Sequence, residues 1–132
     1  MKWIKKGKEP TQLKEYRNSG GEWDDFSLEK GKEELKDQLL TEQKSLCAYC
    51  MGAIRSNTMK VEHWHPRAIY PNKKLDYKNL LAVCQGCYGS GTTQQQHCDT
   101  SKGDRIVEIN PQEKNHINAL SYKNNGEIYS TI

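Results

Sequence analysis

Two cysteine pairs, Cys47-Ala48-Tyr49-Cys50 and Cys84-Gln85-Gly86-Cys87, carry the clearest chemical signal in the chain. A two-residue gap lets both thiolates of a pair reach one ion at about 2.3 Å, and a distant second pair completes the tetrahedron and closes a loop. The pattern predicts one structural Zn²⁺ site, against the alternative of four buried thiols with no ion. A fifth cysteine lies in His97-Cys98-Asp99-Thr100-Ser101-Lys102-Gly103-Asp104, so five thiols compete for four positions, and spacing alone favours Cys87 over Cys98. Between the pairs stand Val61-Glu62-His63-Trp64-His65-Pro66 and Tyr77-Lys78-Asn79-Leu80-Leu81. An imidazole titrates near neutrality and can accept a proton, and a carboxylate is a ligand for hard cations.

A carboxylate beside a histidine at the end of a short strand, then an asparagine, ordered between cysteine knuckles, resembles the HNH or ββα-metal endonucleases. More narrowly, Lys6-Gly7-Lys8-Glu9-Pro10, Leu46 to Cys50, Glu62-His63 with Pro66, Asn79-Leu80-Leu81, His97-Cys98-Asp99 with Lys102-Gly103-Asp104, and Ser121-Tyr122 to Gly126 are similar to the HNH subunit of Septu-type and retron-associated anti-phage systems. The resemblance implies an α+β fold, a small zinc-stapled ββα-metal (HNH) domain with an extended N-terminal arm, a helix before it and a C-terminal β-hairpin. It implies hydrolysis of DNA phosphodiester bonds, in which a water loses a proton, attacks in line and leaves an alkoxide that needs positive charge. His63 matches the general-base position. Asn79 matches the asparagine that holds the histidine or its loop in register, and Glu62 falls where such nucleases place an acid on a catalytic Mg²⁺ or Mn²⁺. The implied partners are DNA, a PtuA-like ABC-type ATPase subunit and, in retron systems, a reverse transcriptase with its RNA–DNA hybrid.

The chain departs from the common motif where Tyr88 follows Cys87 in place of the usual His or Asn. With 86–96 as an insertion within the second knuckle, the resemblance puts Cys98 on zinc beside Cys47, Cys50 and Cys84. Asp99 then joins Glu62 on the catalytic ion, and Lys102 opens the motif's helix. His97 remains an alternative to either metal ligand, and Cys87 to Cys98. His65 lies on the face of His63 if the strand continues, which Pro66 makes doubtful, so it reads as a loop residue with a secondary claim on metal or phosphate. His116 has no partner cluster nearby, and Trp3, Trp23 and Trp64 read as packing residues.

The elements that must position these groups are few. Leu, Ile, Val and Phe number 22 of 132 residues, below the roughly one-fifth at which a chain builds an apolar core unaided, so a metal staple is expected to supply what the core lacks. Leu28, Leu35, Leu39 and Leu40 recur near helical spacing, predicting a helix over 28–44 capped by Ser27. Residues 119–122 and 127–130 flank Asn125-Gly126 as a hairpin. The polar tract 89–96 reads as a flexible insertion. Ser19-Gly20-Gly21 marks a loop, so residues 1–25 read as an extended basic arm for partner docking and 26–132 as the zinc-containing nuclease domain.

Charge is segregated beneath a net +3: residues 1–18 carry six Lys/Arg and two acids, and 22–43 carry eight acids and three Lys. Arg55, Lys60, Arg67, Lys73, Lys74 and Lys78 lie close to the Glu62-His63 stretch, and Lys60, Arg67, Lys73 and Lys74 are candidates for phosphate contacts that position a strand without reading its sequence. The longest apolar run, Leu80 to Cys84, is far too short to span a membrane, and no apolar stretch follows the basic start, so a cytoplasmic protein is expected. A non-catalytic zinc-knuckle module binding nucleic acid or protein is the alternative function. It explains the cysteines and leaves Glu62, His63, Asn79 and Asp99 unused. A purely structural subunit explains still less.

Overall fold

The computed structural model describes residues 1–88, 95, 96, 98, 102–105, 107–125 and 128–130, with backbone alone for residues 87, 88, 95, 96, 122 and 128–130. The fold is α+β, built on a two-stranded ribbon. The apolar run becomes β2 (Leu80–Cys84), buried except at Cys84, and pairs antiparallel with β1 (Met59–His63) in a register running from Met59 opposite Cys84 to His63 opposite Leu80. One ribbon therefore presents a thiol at one end and the imidazole at the other.

Such a ribbon is marginal by itself and needs a packed surface. Helix α2 (Glu33–Glu42) supplies it, with Leu35 and Leu39 one turn apart and both buried in the core with Ile54, Met59, Leu75, Tyr77 and the β2 residues. Just past the helix, Gln43 acts as a one-residue strand: its Nε2 donates to the Ala82 carbonyl at 2.8 Å, and the Ala82 amide donates to its Oε1 at 2.8 Å. An otherwise open strand edge is thereby satisfied from within.

The helix begins later than the leucine spacing suggests. Residues Leu28–Lys32 form a wide turn in which Gly31 has φ 128°, and a Cβ there would lie 2.6 Å from Gln12 Cβ, so glycine is required. The Ser27 side chain makes no cap; its carbonyl accepts from the amides of Lys30 and Lys32 at 3.1 Å. Leu28 consequently stays exposed.

The first 25 residues are not an extended arm. They contain α1 (Thr11–Asn18) and a short turn at Trp23–Asp25, and Ile4, Leu13 and Trp23 share one core with Phe26 and Leu35. A boundary at residue 25 has no counterpart in the packing. Sparse apolar residues concealed this: Ile4, Leu13 and Trp23 suffice to seat a segment whose other positions are mostly polar. Backbone and ion-pair ties reinforce it, with the Ile4 amide donating to the Pro111 carbonyl at 2.8 Å and the Arg17 guanidinium holding both Glu9 oxygens at 2.8 Å.

Farther along, β3 (Cys87–Tyr88) pairs with β4 (Gln95–Gln96), while 89–94 of the expected insertion lie outside the described residues. Helix α3 (Lys114–Asn118) leads into β5 (Leu120–Tyr122), which pairs antiparallel with β6 (Ile128–Ser130) as the Asn-Gly signal predicts. Among the described residues no helix is long and apolar enough to cross a membrane.

Candidate active site

Four thiols converge at the Cys84 end of the ribbon. The Sγ atoms of Cys47, Cys50, Cys84 and Cys98 all lie within 4.8 Å of one another, with Cys47 to Cys98 and Cys50 to Cys84 both at 4.0 Å. Four sulfurs about 2.3 Å from one ion are separated by about 3.8 Å, so the cluster matches tetrahedral Zn²⁺ coordination in donor type and spacing. The first knuckle is shaped by its backbone. The Ala48 amide donates to the Ala82 carbonyl at 3.0 Å, Met51 takes the left-handed conformation at φ 63°, and the Gly52 amide donates to Cys50 Sγ at 3.4 Å. Cys98 reaches the cluster across the insertion. The Cys87 backbone lies in β3, and its side chain is outside the described residues.

The electrostatics favour an ion. Burial opposes ionisation of Cys47, yet backbone hydrogen bonds at Cys50, Cys84 and Tyr49 outweigh it and hold that thiol below its usual range. Burial, with the Cys47 charge beside them, pushes the Cys84 and Cys98 thiols up. One thiolate thus hinders the next, a conflict that a divalent cation removes.

At the other end His63 is buried. Its Nε2 lies 2.9 Å from the Lys74 carbonyl, and its ring meets Trp23 edge-on at 4.6 Å. A carbonyl only accepts, so Nε2 carries the proton of the neutral ring and Nδ1 is the basic nitrogen. Asn79 fixes the loop that provides this carbonyl. Its Nδ2 donates to the carbonyls of His65 and Lys73, both at 3.1 Å, and its Oδ1 accepts from the His65 amide at 2.7 Å and lies 3.2 Å from His65 Nδ1. The Trp64 amide donates to the Asn79 carbonyl at 3.0 Å. The asparagine thus grips the loop and His65, and its side chain reaches toward His63 through the Lys73 carbonyl. Strand β1 ends at His63, so His65 belongs to the loop. His116 is structural, its Nδ1 accepting from the Asn110 amide at 3.1 Å.

Glu62 faces Lys102. Its Oε2 lies 3.3 Å from Lys102 Nζ and accepts from Tyr49 Oη at 3.1 Å, and both ion-pair partners are almost wholly buried. The same ammonium lies 3.4 Å from the His63 carbonyl. Together Val61, Glu62, His63, Pro66, Arg67, Ala68, Gly103 and Asp104 line an open cleft of ≈ 560 Å³. Asp99 and His97 lie outside the described residues, and among those described the four cysteines are the one group of three or more metal-ligating side chains.

The cations around the cleft are not all in contact with solvent alone. Arg67 pairs with Asp24 at 2.7 Å, Lys74 pairs with Glu22, and Lys73 lies over the Tyr70 ring at 5.4 Å. Sequence reasoning missed the roles of Lys102, Trp23, Gln43 and the Lys74 carbonyl. Only Lys102 left a signal, in the Lys-Gly-Asp run after Cys98.

No protein-family model matches the chain. Relatives are found among curated proteins. The chain is 33% identical over 94 residues to the "Septu protein PtuB" of Bacillus thuringiensis, an alignment covering 70% of the chain and 35% of that protein. It is 35% identical over 103 residues to the "Retron Ec83 putative HNH endonuclease" of Escherichia coli, covering 69% of the chain and 40% of that protein. A third relative, the "Retron Vc95 putative HNH endonuclease" of Vibrio cholerae serotype O1 biovar El Tor, is 31% identical over 111 residues, covering 77% and 52%. The chain therefore spans roughly a third to a half of the length of these relatives.

Proposed function

Taking the chain as a relative of the Septu and retron HNH proteins, we propose that it is a metal-dependent HNH endonuclease hydrolysing DNA phosphodiester bonds within an anti-phage defence complex. The observation that supports this most is the 2.9 Å contact of His63 Nε2 with the Lys74 carbonyl. With Nε2–H held by the Lys74 carbonyl, the ring offers Nδ1 to a water at the cleft that His63 itself lines. Transfer of the water's proton to Nδ1 generates the attacking hydroxide and an imidazolium. Because Nε2–H stays bonded to the same carbonyl, the ring need not turn during the transfer. Asn79 is a positioning residue, fixing the Lys73 carbonyl one peptide before this one.

Zn²⁺ on Cys47, Cys50, Cys84 and Cys98 is the proposed structural ion, anchoring β2 and thereby the register that sets His63 opposite Leu80. A bound Mg²⁺ or Mn²⁺ supplies positive charge for the leaving alkoxide. Its proposed ligands are Glu62 with Asp99 or His97. Within the described residues Glu62 already pairs with Lys102, so this ion has to share that carboxylate with an ammonium. The same ion pair favours the alternative reading, a non-catalytic zinc-knuckle module in which Glu62 is structural.

A plasmid-nicking assay with Mg²⁺ or Mn²⁺ separates the two. His63→Ala is expected to lower the rate by about 10²- to 10⁴-fold at unchanged zinc content. Equal rates would remove His63 from the mechanism and leave the binding module. The partner remains proposed as a PtuA-like ABC-type ATPase, with a retron reverse transcriptase in some systems. Deleting residues 1–25 would remove Leu13 and Trp23 from the core, so point substitutions at the exposed lysines of this segment test docking instead.

A further inference from the structure

Two cations close to His63, one on the cleft wall and one beside the carbonyl that holds the ring, are already held by the chain's own acids. Arg67 lines the cleft and pairs with Asp24, while Lys74, whose carbonyl fixes His63, pairs through its ammonium with Glu22. Both acids flank Trp23, whose ring lies against His63 and beneath Lys32 Nζ at 4.8 Å. Three cations, Lys32, Arg67 and Lys74, therefore surround the Glu22-Trp23-Asp24 tripeptide beside the proposed base.

The tripeptide is firmly anchored and its acids are loosely held. Trp23 and Phe26 are buried, with Phe26 stacked on Tyr16 at 4.7 Å, and the Phe26 amide donates to the Trp23 carbonyl at 3.0 Å. By contrast the Asp24 and Glu22 side chains are 86% and 63% exposed. Exposed ion pairs of this kind contribute little to folding, and a ligand of higher charge density can exchange with them. The backbone can stay in place while the carboxylates swing away.

Resting on the nuclease reading above, we propose that Arg67 and Lys74 form a binding site for consecutive backbone phosphates of the DNA substrate, and that Glu22 and Asp24 occupy it as built-in phosphate mimics. The mimics weaken binding to arbitrary DNA, so that only a strand delivered at high local concentration displaces them. This gives the segment at 22–25 a function distinct from its packing.

The test measures binding of a short labelled DNA duplex in the His63→Ala background with Mg²⁺, so that no strand is cut. Glu22→Gln combined with Asp24→Asn is expected to tighten binding about tenfold. Adding Arg67→Ala and Lys74→Ala should abolish that gain, and each should flatten the slope of log affinity against log salt by about 0.9. Glu33→Gln combined with Asp37→Asn, which makes the same change in net charge on α2, should tighten binding far less. Equal tightening by the α2 pair, a gain that survives loss of both cations, no gain, or no binding by any variant would each overturn the proposal. Failure of the nuclease reading shows separately, as equal nicking by the wild type and His63→Ala.

Discussion

The two ends of the β1–β2 ribbon are stabilised by opposite means. At the Cys84 end four thiols face one another, close enough to share one cation, and the charge of one thiolate opposes ionisation of the next. At the Leu80 end hydrogen bonds hold the groups in place: the Lys74 carbonyl meets His63 Nε2, and Asn79 bonds the carbonyls of Lys73 and His65 and the His65 amide. One end is a cluster of four thiols whose spacing could hold an ion, and the other is a preformed hydrogen-bond frame. Under the nuclease reading proposed above, an ion held by the thiols would secure the fold while the hydrogen-bond frame aims His63.

Removing the ion should have the largest effect. Structural Zn²⁺ contributes on the order of 10 kcal/mol, comparable with the whole stability of a domain. Chelation, or Cys47→Ser, is expected to abolish the cooperative thermal transition followed by circular dichroism, and intact protein should contain one zinc per chain. The comparison sharpens with two further variants: Cys98→Ser should lose the zinc and Cys87→Ser should keep it. Zinc retained by Cys98→Ser would remove Cys98 from the site.

Breaking the other end should be milder. His63→Ala leaves the zinc in place and costs activity, as argued above. Asn79→Ala strips partners from the Lys73 and His65 carbonyls and the His65 amide, with an expected loss of about 3 kcal/mol in denaturant unfolding. Because the Lys74 carbonyl then loses its fixed place, the base limb of the pH–rate profile should shift as well. A stability loss with an unmoved profile would confine Asn79 to holding the loop.

The sulfur end was far more legible in the sequence than the hydrogen-bond end. Cysteines have few uses and their spacing is diagnostic, although spacing pointed to Cys87, and only the family resemblance favoured Cys98, whose thiol the structure brings to the other three. Glu62, His63 and Asn79 could be picked out as residues, but not their partners. The Lys74 carbonyl is backbone and leaves no mark in composition. Gln43 pairs with Ala82, and Lys102 with Glu62, across some forty positions, distances at which no periodicity survives. The N-terminal segment was misread for a related reason: Ile4, Leu13 and Trp23 are too widely spaced to form a pattern, yet each fills a place in the core.

That segment also supplies the smallest effect, at the start of β2. Lys6 is half-buried there, donating to the Leu80 carbonyl with its Nζ 3.9 Å from the centre of the Tyr77 ring. Tyr77 Oη in turn donates to Glu42, which also accepts from the Gly7 amide. Burial lowers the Lys6 pKa from 10.5 to about 8, against the opposing pull of Glu42 and Asp76. The folded chain then binds fewer protons than the unfolded chain between those values, so stability rises with pH across that window. Between pH 7.5 and 9.5 the gain should be about 2 kcal/mol. Burial and the Glu42 bond raise the Tyr77 pKa, and the resulting loss begins only near pH 10, where an unfolded tyrosine ionises. Denaturant melts of the wild type and Lys6→Met at the two pH values isolate the effect, because the variant should lose the increment while keeping its aliphatic packing. An increment of equal size in Lys6→Met would assign the pH dependence to other groups and leave the sulfur end as the ribbon's one charge-governed terminus.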